Sequence, residues 1–564
     1  MGRTNKRLTV LWVVMLLVII LLFVQTFRVQ VLAKPDIRAR AESQSERKLS
    51  IPAPRGAIYD RKGEQLAVSQ TMATITANPK HIKDANATAA LLAPVLDIPQ
   101  EELVDKLSRD SGFVYLARKV DLAKSTQIEE LRTKLRAEKE AWKLDGIDIE
   151  SEDKRLYPAG ALAPQILGFV GQENTGLAGI EKQYDNLLLG TPGLKTVVAS
   201  GANRLNTVSV QEAIPGQPIT MTIDSDIQFE AERVLVETVE NYKAKKACAI
   251  VMDPSTGEII AMANTPAFPV NQYGEMEESA TRNSAVVDMY EPGSTFKMIT
   301  VAAALQEGLV TPDTRFELRP TIKVHDKVIH EAHFENLGVR NLSVREILAK
   351  SSNVGAITLG MKLGKERLAN MIKAFGFTEK LDIDFPGEAA GLMPEIENWS
   401  GTTIANVPMG QGISVTPLQL TSAYAAIANK GVLIQPHLVR GQVTPWTRQV
   451  VSAEVAAQLL DMLHSVTDDG GTGTKARIEG YEVAGKTGTA QKVIENGGGY
   501  YSNRYVSSFV GMVPASAPRL VILVVVDDPT TEYYGSSVAA PAFAQIADFA
   551  LKSLGIPPTP TSVD

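Results

Sequence analysis

The strongest hydrophobic pattern in the chain lies at its N-terminus. Residues 8–24 are apolar apart from Thr9, and positively charged residues precede them. Because helical residues rise 1.5 Å each, this segment spans about 26 Å, close to the hydrocarbon core of a bilayer. The pattern predicts a cytoplasmic tail at 1–7 and a transmembrane anchor at 8–25, with the rest of the chain outside the cell membrane. A cleaved signal peptide, with its cleavage site at 31–33, is the alternative.

Periodic patterns divide the remainder of the chain into two parts. Residues 37–48 are charged and mildly amphipathic, which predicts a helix or a stalk that leaves the membrane, and Pro and Gly at 213–218 predict a domain boundary. Before that boundary we expect a hairpin that turns at 60–63 and helices near 85–93, 101–108 and 125–140. After the boundary we expect a helix at 224–244, hairpins that turn at 254–257 and 514–518, and a closing helix at 537–554. Helices early and late, with antiparallel hairpins between them, predict one antiparallel sheet covered by helices.

Composition narrows the class of protein only a little. The 564 residues, 44% hydrophobic and 21% charged, suffice for two or three globular domains, and the net charge of −7 gives no reason to expect nucleic acid as a partner. Cys248, the single cysteine, cannot form an internal disulfide and lies in an apolar run typical of a core strand. Three histidines between 325 and 333 lie beside Glu331 and Glu335. However, residues 323–330 alternate like an exposed hairpin, so we expect no metal there.

A Ser and a Lys three residues apart open an apolar helix in the second part. Pro292 and Gly293 interrupt the preceding element, and residues 298–305 form an Ala-rich run typical of a buried helix. Ser294 and Lys297 therefore share one helix face, which brings an amine within reach of a hydroxyl. A serine is a weak nucleophile until an adjacent base takes its proton, and a helix N-terminus adds N–H groups beside the reacting oxygen. Alone, the pair also fits a capping serine and a solvated lysine.

Two further motifs follow in order along the chain. The first is Ser-Ser-Asn at 351–353, and the second is Lys-Thr-Gly-Thr at 486–489. The order S-x-x-K, S-x-N, K-T-G is that of the serine β-lactamases and the penicillin-binding proteins. As isolated residues these would be turn caps, strand residues and a solvated lysine, but three ordered motifs over about two hundred residues argue strongly against coincidence.

With these motifs the chain resembles the class B penicillin-binding proteins, which are membrane-anchored peptidoglycan D,D-transpeptidases. Further similarities lie near the N-terminus, in the signature and second motif of the family's pedestal domain: Arg55, Gly56, Asp60, Arg61, Gly63 and Glu181. The resemblance implies an α+β fold with a single transmembrane helix, an elongated pedestal at 26–215, a transpeptidase domain at 216–555 and a C-terminal tail at 556–564. The transpeptidase domain is expected to be of the penicillin-binding and serine β-lactamase-like type, an antiparallel sheet with helices on both sides.

The resemblance also implies a role for each motif residue. Ser294 attacks the penultimate D-Ala of a stem pentapeptide, and Lys297 is the base, its pKa lowered by burial and by the charge of Lys486. Ser351 passes a proton to the leaving D-Ala. The residues expected to bind the peptide or a β-lactam are Asn353, which also holds Lys297, and Lys486, Thr487, Gly488 and Thr489. Backbone N–H groups of Ser294 and Thr489 form the oxyanion hole, and Gly488 lets the peptide backbone lie close to the strand. No metal or organic cofactor is expected.

Partners and cellular duty are implied by the same resemblance. The Ser-Ser-Asn and Lys-Thr-Gly-Thr motifs are most similar to the septal, cell-division type. Expected partners are the peptidoglycan stem peptide, the membrane, β-lactam antibiotics, division proteins and a membrane glycan polymerase that contacts residues 8–67. The alternatives are an elongation-type transpeptidase, a β-lactamase or D,D-carboxypeptidase with water as acceptor, and a non-catalytic scaffold of a wall-synthesis complex.

Overall fold

Two compact units make up the protein. The computed structural model describes residues 3–30, 46–200, 204–275, 277–325, 327–332, 338–494 and 498–559. One unit comprises residues 1–54 and 190–216, and the other comprises residues 55–189 and 217–564.

The helices and strands are numbered in chain order. The α-helices are α1 (Arg3–Gln30), α2 (Ala85–Leu96), α3 (Gln100–Leu107), α4 (Leu122–Ala137), α5 (Pro164–Leu167), α6 (Gly179–Gln183), α7 (Asp185–Leu188), α8 (Ser225–Tyr242), α9 (Ser284–Val287), α10 (Lys297–Gln306), α11 (Val344–Ala349), α12 (Asn353–Leu363), α13 (Lys365–Ala374), α14 (Thr403–Asn406), α15 (Pro417–Ala428), α16 (Ala453–His464) and α17 (Gly535–Ser553). The strands are β1 (Glu46–Ile51), β2 (Ile58–Tyr59), β3 (Gln65–Ala77), β4 (Val114–Val120), β5 (Ile147–Leu156), β6 (Gly193–Ser200), β7 (Arg204–Gln211), β8 (Ile219–Thr220), β9 (Lys246–Met252), β10 (Ile259–Thr265), β11 (Arg315–Leu318), β12 (Thr321–Val324), β13 (Lys327–His330), β14 (Arg340–Ser343), β15 (Val432–Ile434), β16 (Thr447–Gln449), β17 (Ala484–Val493), β18 (Tyr500–Val513) and β19 (Leu520–Asp527).

The first unit contains α1 and a three-stranded antiparallel sheet in the order β1-β6-β7. Within α1, the segment Lys6–Arg28 contains an 18-residue window with a mean hydropathy of 2.9, so the helix is long and apolar enough to cross a membrane. The cleavage site considered at 31–33 and most of the helix or stalk expected at 37–48 lie outside the described residues. Where that segment is described, from Glu46, it forms β1, because it pairs with β6.

A five-stranded antiparallel sheet in the order β10-β9-β19-β18-β17 organises the C-terminal part of the second unit. Strands β9 and β19 are buried apart from one terminal residue each, which explains their long apolar runs. Helices α8 and α17 pack on one face, and α10 and α15 belong to the core on the other face. Helix α8 begins at Asp224, whose carboxylate accepts hydrogen bonds from the first turn. The predicted antiparallel sheet with helices on both sides is therefore confirmed.

A second sheet, in the order β4-β3-β2-β8, precedes the first in the chain, and β5 pairs with β3 along its whole length. Strand β2 pairs parallel with β8 and antiparallel with β3. Helices α2, α3 and α4 pack around a separate core that includes Ile75, Leu92 and Ile128. The hairpins and helices expected from periodicity are present, whereas the exact domain limits at 215 and 555 stay predictions.

Candidate active site

A short helical turn presents Ser294. The 3-10 turn Gly293–Phe296 runs directly into α10, so Ser294 and Lys297 stand at the start of one helix. The Gly293 N–H donates to the carbonyl oxygen of Gly410 at 3.0 Å, and the Tyr424 hydroxyl donates to the carbonyl oxygen of Thr295 at 2.8 Å. The residues on either side of Ser294 are buried while Ser294 is partly exposed. The turn is therefore fixed by the core and leaves the serine accessible.

The Lys297 amine joins the first two motifs. Its side chain is 1% exposed, and Nζ donates to the Ser351 carbonyl oxygen at 2.6 Å and to the Asn353 Oδ1 at 2.7 Å. The Ser351 Oγ lies 3.3 Å from the same Nζ. The Ser294 hydroxyl makes no hydrogen bond with any residue that the structure describes. The Lys297 amine therefore has two short hydrogen bonds, and no described residue holds the Ser294 hydroxyl in a hydrogen bond.

Burial sets the charge state of the two lysines. It lowers the pKa of Lys297 to about 7, although the carboxylate of Glu331 raises it. Burial also lowers the pKa of Lys486 well below its usual value, and the charge of Lys297 lowers it further. The predicted contribution of the Lys486 charge to the lowering at Lys297 is not found: burial lowers the pKa of Lys297, whereas the charge effect is seen at Lys486. A base whose pKa lies near neutrality suits proton abstraction from a serine.

The Ser-Ser-Asn motif forms a turn between α11 and α12. Ser351 has φ +56°, in the left-handed region that is unfavourable for a residue with a Cβ. Ser352 is the N-cap of α12, and its hydroxyl accepts from the Gly355 N–H at 3.0 Å. The turn thereby directs the Ser351 carbonyl and the Asn353 amide toward Lys297.

The Lys-Thr-Gly-Thr motif lies on β17, the edge strand of the central sheet. Lys486 is fully buried, and Thr487 donates to the Thr472 hydroxyl at 3.0 Å. A Cβ at Gly488 would lie 2.3 Å from the Ser508 Oγ and 2.9 Å from Thr295 Cγ2. The glycine is therefore required because the turn that carries the nucleophile packs against the strand. The close approach of a peptide backbone, for which the sequence also predicts a glycine here, stays a prediction.

The end of the motif contacts the closing helix. The Thr489 Oγ1 accepts from the Gly535 N–H at 2.9 Å, at the first residue of α17. A Cβ at Gly535 would lie 2.2 Å from the Gly488 carbonyl oxygen. The close packing of α17 thus fixes the strand beside Ser294.

The predicted pedestal residues form a second cluster. Glu181 is completely buried, and its carboxylate accepts from Arg55 Nε and from Arg155 Nε, each at 2.6 Å. Arg55 also pairs with Asp185 at 2.6 Å, and Gly56 supplies a carbonyl oxygen to Arg155 at 2.8 Å. Arg155 is not among the predicted site residues; it is buried on β5, a strand in which polar and apolar residues are mixed.

Asp60, Arg61 and Gly63 shape the turn between β2 and β3 and attach it to the transpeptidase part of the unit. The Asp60 carboxylate accepts from the N–H groups of Lys62 and Glu64 and from the Ser225 hydroxyl, each at 2.8 Å. Gly63 has φ +91°, and Arg61 pairs with Glu258 at 3.4 Å. Asp60 and Arg61 thus connect this turn to the transpeptidase part, whereas Arg55, Gly56 and Glu181 hold the pedestal together internally.

Sequence reasoning missed Glu331 as a neighbour of the active site. It was considered only as a potential metal ligand, and His333 and Glu335 of that group lie outside the described residues. In the structure the Glu331 carboxylate accepts from the Asn353 N–H at 2.7 Å. No motif contains it, because a separate hairpin brings it to the site.

An antiparallel sheet with a Ser-x-x-Lys helix against its edge strand is the arrangement of the penicillin-recognising serine enzymes. Comparison with known proteins agrees. Residues 247–548 match the penicillin-binding protein transpeptidase domain, and residues 50–221 match the penicillin-binding protein dimerisation domain. The chain therefore belongs to the penicillin-binding protein family, and specifically to members that join these two domains.

Similar proteins match along almost the whole chain. The chain is 33% identical to penicillin-binding protein PbpB of Mycolicibacterium smegmatis, over 97% of this chain and 90% of that protein. It is 32% identical to the peptidoglycan D,D-transpeptidase FtsI of Escherichia coli, over 94% and 88%. Among solved structures, penicillin binding protein 3 of Mycobacterium tuberculosis in complex with aztreonam matches with a TM-score of 0.69 and 29% identity, over 91% of this chain and 98% of that one.

Proposed function

We propose that this protein is a peptidoglycan D,D-transpeptidase that works through a Ser294 acyl-enzyme and is a target of β-lactams. The observation that carries the proposal is the Lys297 amine, buried, with a pKa of about 7 and bonded to both Ser351 and Asn353. A neutral lysine beside an accessible serine provides the base that the nucleophile requires. Relatives named as peptidoglycan D,D-transpeptidases and a related structure with bound aztreonam support the choice of substrate.

In the first half-reaction the Ser294 Oγ attacks the carbonyl of the penultimate D-Ala while neutral Lys297 takes the hydroxyl proton. Backbone N–H groups of Ser294 and Thr489 stabilise the oxyanion. The C–N bond then breaks, Ser351 relays a proton to the leaving D-Ala amine, and an ester on Ser294 remains. Lys486, Thr487 and Thr489 hold the terminal carboxylate of the donor peptide during this step, and the Asn353 amide hydrogen-bonds the peptide.

In the second half-reaction the amine of another stem peptide attacks the ester. The new C–N bond replaces the C–O bond, the serine oxygen recovers a proton through Lys297, and a cross-link is released. None of these steps requires a metal or an organic cofactor. Water in place of the amine gives the carboxypeptidase or β-lactamase outcome, which is the principal alternative.

The decisive experiment supplies both substrates to the full chain in detergent. Lipid-linked glycan precursor with pentapeptide stems is polymerised by a membrane glycan polymerase, and the digested products are separated by mass. We expect cross-linked dimers and released D-Ala from the wild type, and neither from Ser294→Ala. D-Ala release without dimers would indicate a hydrolase. Absence of both from a folded wild type would leave the scaffold alternative.

A septal role is the cellular duty we propose, in complex with a membrane glycan polymerase that contacts residues 8–67 and with division proteins. The Ser-Ser-Asn and Lys-Thr-Gly-Thr motifs support it, and relatives named FtsI and PbpB fit it. A fluorescent fusion should gather at the division site, and depletion should give filaments. Loss of rod shape without filaments would favour the elongation type.

We propose that α1 anchors the chain with residues 1–7 in the cytoplasm and the catalytic domain outside. The length and hydropathy of Lys6–Arg28 support an anchor, and the basic residues before it support this orientation. A labelled penicillin that cannot cross the membrane should acylate the protein in intact cells or spheroplasts. Labelling that appears only after lysis would contradict the orientation.

A further inference from the structure

A buried carboxylate lies beside the Ser351–Asn353 turn without belonging to any of the three motifs. Glu331 follows β13, and it is only 5% exposed. Its N–H donates to the Pro320 carbonyl oxygen at 3.0 Å, which closes the small β12-β13 hairpin. A buried carboxylate is costly unless its oxygens are paired, so its partners indicate what it does.

Among the described residues, three groups donate to this carboxylate, and two of them belong to the turn. Oε1 accepts from the Ser352 hydroxyl and from the Arg340 guanidinium, the latter at 3.0 Å. Oε2 accepts from the Asn353 N–H at 2.7 Å. In addition, the Asn353 side-chain amide donates to the His330 carbonyl oxygen at 3.2 Å. The end of β13 and Glu331 therefore hold Asn353 through both its backbone and its side chain.

The turn needs such support because its backbone is strained. A left-handed conformation is unfavourable at a residue with a Cβ, as at Ser351. Lys297 holds the turn from one side, through the Ser351 carbonyl and Asn353 Oδ1. Glu331 holds it from the other side. Without the second attachment, the strained turn could relax and withdraw its acceptors from the amine.

We propose that Glu331 is a positioning residue for acyl transfer at Ser294, which fixes the Ser351–Asn353 turn against the Lys297 amine. The inference rests on the proposed function and names a residue that serves the same site. The charge of Glu331 has a second effect: it raises the pKa of Lys297 against the lowering by burial. Glu331 is the charged group that acts on this amine, and Arg340 partly neutralises it. At Lys486 the effect runs the other way, because the charge of Lys297 lowers the pKa of Lys486 beyond the effect of burial.

The test is the pH dependence of acylation by a labelled penicillin, measured on the full chain in detergent. Glu331→Gln keeps the size of the side chain but removes its charge and one of its acceptors. We expect the pH midpoint of the acylation rate to fall by about 0.5–1 unit, because an opposite charge near the amine is lost. The plateau rate should fall about tenfold or more, because the turn is no longer held in place.

Two further variants distinguish the effect of the Glu331 charge on the Lys297 amine from a merely structural role of Glu331. Arg340→Gln leaves the Glu331 carboxylate and removes its cation, so the midpoint should move upward, opposite to the shift in Glu331→Gln. Glu317→Gln changes an exposed carboxylate on β11 and should alter neither quantity. A merely structural role would lower the rate in both site variants without moving the midpoints in opposite directions.

The proposal is overturned if folded Glu331→Gln keeps the wild-type plateau and midpoint, or if both site variants shift the midpoint the same way. If Glu331→Gln does not fold, Ser352→Ala takes its place, because it removes one donor to the carboxylate and keeps the charge. This variant must lower the plateau rate of acylation without moving the pH midpoint. If it changes neither quantity, the proposal is also overturned. A wild type that is not acylated at Ser294 contradicts the proposed function instead, so the two failures are distinct.

Discussion

Replacing Glu181 by glutamine should destabilise the protein strongly, although the residue lies outside the three catalytic motifs. The carboxylate is fully buried and neutralises Arg55 and Arg155 through two contacts of 2.6 Å. In Glu181→Gln, Arg55 keeps its pair with Asp185, whereas the acceptors that Arg155 keeps among the described residues are uncharged, namely the carbonyl oxygens of Gly56 and Arg55. The variant therefore contains a buried guanidinium without a counter-charge.

Breaking a buried ion pair by removing one partner costs about 3–5 kcal/mol. For the unit of residues 55–189 and 217–564, the unfolding entropy is about 1 kcal/mol/K, so that loss corresponds to a decrease in Tm of roughly 3–5 °C. The assay is thermal unfolding of the full chain in detergent, followed by circular dichroism. Glu173→Gln is the matched control, because Glu173 pairs with Arg118 at the surface with its side chain 76% exposed, and such pairs contribute about 0–1 kcal/mol.

The double variant Glu181→Gln with Arg155→Met tests the physical cause. If the cost comes from the uncompensated guanidinium, the second substitution should add little destabilisation or recover part of the loss. Equal decreases in Tm for Glu181→Gln and Glu173→Gln would refute the reasoning. So would a double variant whose losses simply add, since the two residues would then be energetically independent.

Three further predictions concern the site and the pH dependence of stability. Because the pKa of Lys297 is about 7, the acylation rate of the wild type should rise about tenfold between pH 6 and 8, and a flat profile would contradict its role as base. Gly410→Ala should reduce acylation severely, because φ is +83° and the new Cβ would lie 2.1 Å from the Gly293 carbonyl oxygen. The control Gly441→Ala, at φ +72° with no atom within 4 Å of the new Cβ, should lower only the stability. Equal acylation rates in the two variants would contradict this prediction. Burial raises the pKa of Glu232 to about 7, so the folded state favours the neutral carboxyl group. The contribution of this group to the free energy of unfolding, at most about 3 kcal/mol, is complete below pH 4.5 and is lost as the pH rises to 7. A plot of Tm against pH should therefore be flatter for Glu232→Gln than for the wild type.

The catalytic motifs could be predicted because each combines a local geometry with a fixed chemistry. Ser294 and Lys297 share a helix start, and the hairpins and amphipathic helices that surround them follow from periodicity within short windows. Those windows also explain why the antiparallel sheet was expected correctly. The resemblance to a known family added the pedestal residues, which no periodicity would have selected.

The supporting residues could not be predicted because their contacts are distant in sequence. Glu331 reaches the Ser-Ser-Asn turn only when the β12-β13 hairpin packs there, and Arg155 meets Glu181 only when β5 pairs with β3. The same limitation explains β1: its charged residues resemble a helix or stalk, and its strand conformation depends on β6, about 150 residues later. The pKa of Lys297 likewise depends on burial by the complete fold.

The central claim is that Ser294 is the acylated nucleophile, and one measurement tests it most directly. The full chain in detergent is incubated with a labelled penicillin, digested, and analysed by mass spectrometry, with Ser294→Ala beside it. We expect one acylated peptide that contains Ser294, released slowly by hydrolysis and absent from the variant. A label on another residue, or no label on a folded wild type, would contradict the account.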